Sequence, residues 1–303
     1  MTYGIIGVGA VGAYFGGRLA QSGHDVHFLL HNDFDFVRQN GLFVDSYMGD
    51  FHLQNLNIYN DVSSMPLCDV VLVCLKTTYN HLLSSLLPPL LKPSTVVILV
   101  QNGIGVEADV QKLFPQQPLA AGVAFINAAK IAPGRILHNN FGHITICNYS
   151  CSDLTVLQQV VDHFKTSQVK SRIADYNETR WTKNILNMAT NGVTVLLDAR
   201  CDQLIADPAS CLLVRGLMIE GIHAAQACGV SAIHEDLADK LIENSRNTQF
   251  ATSMKFDYDH HQPLEIKYLY SRPIEEAERL GCNLPKLRML EQQLLFLNQR
   301  SGR

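Results

Sequence analysis

The sequence predicts an α/β protein: a doubly wound parallel sheet followed by an all-α C-terminal domain. Three observations lead there. The first half alternates strand-length apolar runs with helical patterns, as wound α/β sheets do. The second half carries almost only helical periodicity. A glycine-rich turn joins the first apolar run to the first helical pattern.

The elements follow in chain order. Residues 4–7 read as a strand, 13–21 as a helix with Gly23 as its stop, and 25–30 as the second strand. Residues 70–74 and 96–100 are continuous apolar runs, as expected for strands covered on both faces. Residues 119–125 form a further strand. Pro133-Gly134 marks a turn, and 135–138 with 143–147 read as an antiparallel pair. Beyond residue 174 helices are expected over 181–197, 211–228, 235–245, 264–271, 274–280 and 287–298. Pro273 should end or kink one of them. This places a wound α/β domain over 1–174 and a helical domain over 175–303; the motifs and the resemblance given below make the first the dinucleotide-binding domain and the second the substrate and catalytic domain. Residues 301–303 are expected to fray.

Composition excludes several classes. With 47% hydrophobic and 17% charged residues, the chain has an ordinary globular balance and can bury a normal core. The net charge of −4 and the lack of a basic run argue against a nucleic-acid partner. Its longest apolar stretches are strand-length, so no membrane span is expected. No secretory signal is expected, since the sequence opens directly on a strand pattern. The eight cysteines show no zinc-type spacing and no disulfide pattern, which fits a reducing cytoplasm. No metal site is expected.

The turn is Gly7-Val8-Gly9-Ala10-Val11-Gly12. Between a strand and a helix, this pattern marks a Rossmann-type dinucleotide site. Gly7 permits the turn, Gly9 admits the phosphates, and Gly12 lets helix and strand pack closely. The helix start then offers its free N–H groups to the anion. Ligands in such sheets lie beyond the carboxyl ends of the strands. Lys76 and Gln101-Asn102-Gly103 fall there.

In the helical half, Lys183, Asn187 and Asn191 are spaced four and four. On a helix they drift only ~80° and span about 12 Å, so they form one polar stripe. The rest of that helix is apolar enough to be mostly buried. The stripe therefore reads as facing a cleft, which should lie between the domains. The segment Thr252-Ser253-Met254-Lys255-Phe256-Asp257 reads as a loop with a helix cap, and Glu265 as the start of a new helix.

Together these features resemble the ketopantoate reductase (2-dehydropantoate 2-reductase) family. The resemblance rests on the glycine turn, Lys76, Gln101-Asn102-Gly103, Trp181-x-Lys183-x-x-x-Asn187-x-x-x-Asn191, and Ser253-Met254-x-x-Asp257 ahead of Glu265. It implies an oxidoreductase in which a nicotinamide cofactor delivers hydride to the keto carbon of ketopantoate, for pantothenate and coenzyme A synthesis. By resemblance Lys183 is the general acid and Glu265 orients it. Asn187, Asn191 and Ser253 bind substrate. Lys76 and Asn102 lie beside the nicotinamide ribose. The implied partner is a small 2-oxo acid, and a homodimer is left open.

Two departures stand out. The family commonly has an arginine after the second strand, where the 2′-phosphate of NADPH sits; here the residue is His31. Asp33 offers a carboxylate to a ribose 2′-hydroxyl, the usual mark of NAD, but lies two residues past the expected strand end. NADP is the expected cofactor and NAD its alternative. Tyr270-Ser271-Arg272-Pro273 also replaces a small-residue helical stretch. The competing functions are a paralogue reducing another 2-oxo acid and a non-catalytic dinucleotide-binding regulator.

Overall fold

The computed structural model describes residues 1–246, 249 and 251–300, so residues 301–303 lie outside it. The chain forms two compact units. One comprises residues 1–101 and 106–176, the other residues 102–105 and those from 177 onward.

The first unit is built on a ten-stranded mixed sheet. Its strands are β1 (Thr2–Ile6), β2 (Asp25–Leu29), β3 (Leu42–Ser46), β4 (Phe51–Leu53), β5 (Asn57–Tyr59), β6 (Val70–Val73), β7 (Val96–Leu99), β8 (Leu119–Ala132), β9 (Arg135–Asn148) and β10 (Ser171–Ile173). They lie in the order β4-β3-β9-β8-β7-β6-β1-β2-β5, with β10 added to β9. The run β8-β7-β6-β1-β2-β5 is parallel throughout, which is the wound sheet the sequence predicts. All four residues of β6 and all four of β7 are buried, which accounts for their unbroken apolar runs. Helices α1 (Ala10–Gln21), α2 (Phe34–Asn40), α3 (Leu83–Leu86), α4 (Val106–Leu113) and α5 (Thr155–Thr166) complete the unit. Phe15 of α1 packs edge-on against Phe164 of α5 over a core that includes Ile5, Phe28, Leu72 and Ile98.

The antiparallel part differs from the sequence reading. Residues 135–138 and 143–147 are not partners of one another. They are two stretches of the single strand β9, which pairs along its length with β8. The interruption is a bulge at Phe141 and Gly142, both at positive φ (64° and 97°). An inserted residue breaks the period of two, so one strand reads as two.

The second unit is helical: α6 (Tyr176–Leu196, its first residue assigned to the first unit), α7 (Cys201–Ala206), α8 (Pro208–Ala227), α9 (Asp236–Ser245), α10 (Ser253–Asp259), α11 (Arg272–Arg279) and α12 (Pro285–Arg300). Residues 253–257, read from sequence as a loop, form α10, capped by the Thr252 hydroxyl accepting from the Lys255 N–H. A π-turn over Lys267–Ser271 runs directly into α11. Pro273, expected to end or kink a helix, falls in the first turn of α11, where its missing N–H costs nothing. The core gathers Trp181, Ile185 and Met188 of α6 with Leu217, Leu269 and Leu290. No helix among the described residues is long and apolar enough to cross a membrane.

His138 of β9 is 1% exposed, shares a 2.9 Å hydrogen bond with Ser46 and lies 4.2 Å from the Tyr14 ring. Burial first, with help from the nearby Arg18 charge, pulls its pKa down to about 4. The unfolded chain, near 6.5, therefore binds this proton more readily. The stability contribution is complete above pH 6.5 and is lost as pH falls toward 4, by up to about 3 kcal/mol. Denaturant unfolding at pH 7.5 and pH 5 should show this loss, and His138→Gln should flatten it. An unchanged slope in the variant would assign the acid limb elsewhere.

Candidate active site

The glycine turn sits at the carboxyl end of β1, between β2 and β6. Gly7 has φ +90°, and a Cβ there would lie 2.5 Å from the Leu75 backbone nitrogen. A Cβ on Gly12 would lie 2.2 Å from the Gly7 carbonyl oxygen. Neither position admits another residue without moving backbone. Gly9 is different: a Cβ there would meet nothing within 4 Å. Its lack of a side chain serves no internal packing and leaves open backbone. Gly9 is also the N-cap of α1, whose first turn carries no acid. Val8, Ala10 and Val11 are only partly buried around it. A glycine-edged opening at a helix start fits a dinucleotide pyrophosphate.

At the end of β2, His31 is exposed and its side chain makes no hydrogen bond to the described residues. Asp33 is not available in the way the sequence suggests. It is 6% exposed, ion-paired with Lys130 Nζ at 2.6 Å, and it accepts from the Gly134 N–H at 3.1 Å. At the ends of β6 and β7, Lys76 precedes a short 3-10 turn, and Gln101 donates to Leu75 O (2.8 Å) and Asn80 Oδ1 (2.6 Å). Gln101 thereby ties the loop carrying Lys76 to the end of β7. Asn102 departs from the domain expected for it. Residues 102–105 belong to the helical unit, where the Ile104 N–H donates to Tyr268 O at 2.9 Å. Gly103 lies so close that a Cβ would be 2.5 Å from that of Tyr268.

In the helical unit, Lys183, Asn187 and Asn191 lie on the unbroken helix α6. Lys183 is partly buried. Burial, then the charge of Arg180 one turn earlier, pull its pKa down to about 7, while Glu265 acts against them. Asn191 is 3% exposed, and its Nδ2 has no partner among the described residues. A buried amide donor without a partner marks a place where a ligand can accept. Ser253 is exposed at the first turn of α10, next to Thr252, which shares a 2.8 Å bond with Thr194 of α6.

Sequence reasoning missed the supports of the stripe. Asn184, 1% exposed, donates to Leu269 O at 3.2 Å. Tyr270, fully buried, accepts from the Gly192 N–H at 2.9 Å and donates to Asn187 O at 3.4 Å. The π-turn therefore grips α6 through both Leu269 and Tyr270. A buried asparagine beside Lys183 was a readable signal; the tyrosine contact was not.

Comparison with known proteins decides the family. The family description "Ketopantoate reductase PanE/ApbA" matches residues 3–150, and its C-terminal counterpart matches 175–298. The chain belongs to the ketopantoate reductase family. It is 40% identical to a 2-dehydropantoate 2-reductase of Nostoc sp., over 99% of this chain and 96% of that one. The 2-dehydropantoate 2-reductase structure from Geobacter metallireducens aligns with TM-score 0.94 and 32% identity, covering 97% of this chain and 99% of the other. A D-mandelate dehydrogenase shares the fold, with TM-score 0.89 and 20% identity over 100% of this chain and 99% of that one. Ketopantoate reductases are oxidoreductases that use a nicotinamide dinucleotide.

The contact between Tyr270 and Gly192 gives a test within the helical unit. A Cβ on Gly192 would meet Leu294 at 2.8 Å, the Tyr270 hydroxyl at 2.9 Å and Leu290 at 3.0 Å. Gly192→Ala should destabilise by about 1–3 kcal/mol through overpacking. Tyr270→Phe should cost about 1 kcal/mol by leaving the Gly192 N–H without its partner. Removing the hydroxyl relieves part of the crowding, so the double variant should lose less than the sum. Denaturant titration of the three variants checks this; strict additivity would mean the two groups do not press on each other.

Proposed function

We propose that the chain reduces 2-dehydropantoate (ketopantoate) to pantoate with NADPH, using Lys183 as general acid. The observation that carries this reading is the partly buried ammonium of Lys183, lowered toward neutrality beside Glu265, on the helix that also carries Asn187 and Asn191. When bound, the nicotinamide supplies hydride to the keto carbon. Negative charge then develops on the carbonyl oxygen. Lys183 Nζ stabilises that charge and delivers the proton, which is most effective when its pKa lies near the working pH. Glu265 holds the lysine in its protonated form against burial and against Arg180. Asn187 and Asn191 hydrogen-bond the substrate's hydroxyl and carbonyl end, and Ser253 takes its carboxylate. Asn191 suits this role because its Nδ2 awaits an acceptor. The glycine turn holds the pyrophosphate, with Lys76 and Asn102 beside the nicotinamide ribose. His31 faces the 2′-phosphate. The product enters pantothenate and coenzyme A synthesis. Eight free thiols support a reducing, cytoplasmic setting.

A second reading has a specific observation behind it. Tyr270 replaces a small-residue stretch and is fully buried against α6. Its hydroxyl also reaches the carbonyl of Asn187 in the stripe, and the fold also carries a D-mandelate dehydrogenase. A paralogue reducing another 2-oxo acid would keep Lys183 and differ in its pocket. A non-catalytic regulator would have no use for a lysine poised to donate a proton. NADPH absorbance decay with ketopantoate and a panel of 2-oxo acids separates the three. Turnover only with another acid selects the paralogue, and tight cofactor binding without any turnover selects the regulator.

Lys183→Ala should lower kcat by about two decades or more while leaving NADPH affinity nearly intact. For the native enzyme, kcat/KM should fall as pH rises through about 7, because only the protonated lysine donates. Glu265→Gln removes the charge that raises this pKa, so the same limb should move to lower pH. A limb that stays in place in Glu265→Gln, or a near-native kcat in Lys183→Ala, refutes the assignment.

The cofactor half is tested separately. His31→Arg should widen the preference for NADPH over NADH, since a permanent cation bonds the phosphate more strongly than a mostly neutral imidazole. Fluorescence titration with both cofactors measures it. Tighter NADH than NADPH binding in the native protein would overturn the NADP reading.

A further inference from the structure

Asp33 lies about 20 residues beyond the glycine turn and two residues past the strand-end position held by His31, in the loop where such folds carry a carboxylate that reads the adenosine ribose. An acid free to act there would accept from the 2′-hydroxyl of NADH and repel the 2′-phosphate of NADPH. Asp33 faces the other way in function. Its carboxylate is paired with Lys130 Nζ at 2.6 Å, and its second oxygen takes the Gly134 N–H at 3.1 Å. It stands at the N-cap of α2 without capping that helix. Its side chain is 8% exposed, against 39% for Lys130.

Both donors come from the β8–β9 hairpin, and the hairpin tip is itself held. The Gly134 carbonyl accepts from the Phe43 N–H of β3 at 2.8 Å. A Cβ on Gly134 would lie 2.7 Å from the Phe36 ring and 3.0 Å from Val37, so the tip rests directly on α2. The length of β8 is what brings Lys130 here: a strand ending near residue 125 would not reach the β2–α2 loop. His31, two residues before Asp33, is left exposed.

We propose that Lys130 and the hairpin tip set the cofactor preference by holding Asp33 away from the adenosine ribose, leaving His31 to face the 2′-phosphate. The proposal rests on the dinucleotide site argued above and assigns its selectivity to a residue far from it in sequence. Lys130 acts as a positioning residue: it acts on the cofactor through Asp33.

The test is binding rather than turnover. Dissociation constants for NADPH and NADH are measured by fluorescence titration on the native protein, Lys130→Met, Asp33→Asn and the double variant, with circular dichroism confirming the fold of each. Lys130→Met should free the carboxylate, strengthening NADH binding and weakening NADPH binding. The ratio should move toward NADH by about tenfold or more, the weight of a hydrogen bond to a charged group. Asp33→Asn keeps an acceptor for the Gly134 N–H and should leave the ratio where it was. In the double variant the shift should vanish, because no carboxylate is left to release.

Three results overturn the proposal. Lys130→Met changes both cofactors equally. The loss of NADPH affinity persists in the double variant, which would make Lys130 a direct phosphate ligand. Asp33→Asn by itself selectively weakens NADH, which would mean the acid already touches the ribose. Should Lys130→Met not fold, the Asp33→Asn titration still decides through that last outcome. If the folded native protein binds neither cofactor, the dinucleotide reading fails, and this proposal with it.

Discussion

The helical unit is organised around an ammonium group held partly out of water. Burying a cation is unfavourable, and here a second cation, Arg180, lies one turn away on the same helix. Glu265 supplies the opposing charge from outside α6. The result is a lysine poised near neutrality, which an exposed lysine in water is not. Maintaining it requires that α6 stay in a fixed register against Glu265. That register is enforced by the π-turn, whose Leu269 carbonyl takes the Asn184 amide and whose Tyr270 hydroxyl takes the Gly192 N–H. Thr252 and Thr194 tie the far end of α6 to the cap of α10. The side chains that would do chemistry are few; the larger number hold them in place.

At the sheet edge the constraint is steric instead. The backbone of Gly7 touches the end of β6, and Gly12 touches Gly7, so the turn has one available shape. Gly9 alone faces open space. Two glycines are required by the protein's own backbone, and the third is not. The same division recurs at the end of β2. Asp33 is taken up by the protein's own hairpin, while His31 is left to solvent.

How much of this was legible follows from the range of each interaction. The wound parallel strands could be read because burial on both faces leaves an unbroken apolar run, as in β6 and β7. The glycine turn and the Lys183–Asn187–Asn191 stripe could be read because both are local patterns on one element. Strands β4, β5 and β10, three residues each, are too short to show a period. The two halves of β9 seemed separate because the Phe141-Gly142 bulge interrupts the alternation. Asp33 looked like a ribose ligand because its partner lies 97 residues away. Residues 102–105 likewise follow closely on β7 in the chain, yet they belong to the helical unit, where Ile104 bonds Tyr268, a contact no local pattern announces.

The buried tyrosine at 270 admits one physical account. A fully buried aromatic at 270 needs volume, and its hydroxyl needs a partner. Gly192 supplies both. It has no side chain to obstruct the ring, and its N–H donates to the hydroxyl. The π-turn supplies the remaining adjustment, since its wider backbone brings residue 270 onto α6 while still delivering Pro273 into the next helix. Bulk at 270, glycine at 192, the π-turn and Pro273 are therefore best understood as one unit. Changing any member alone should disturb Asn187 and Asn191, because the carbonyl of Asn187 and the N–H next to Asn191 are the groups the tyrosine holds. Together these features brace the stretch of α6 that carries Asn187 and Asn191.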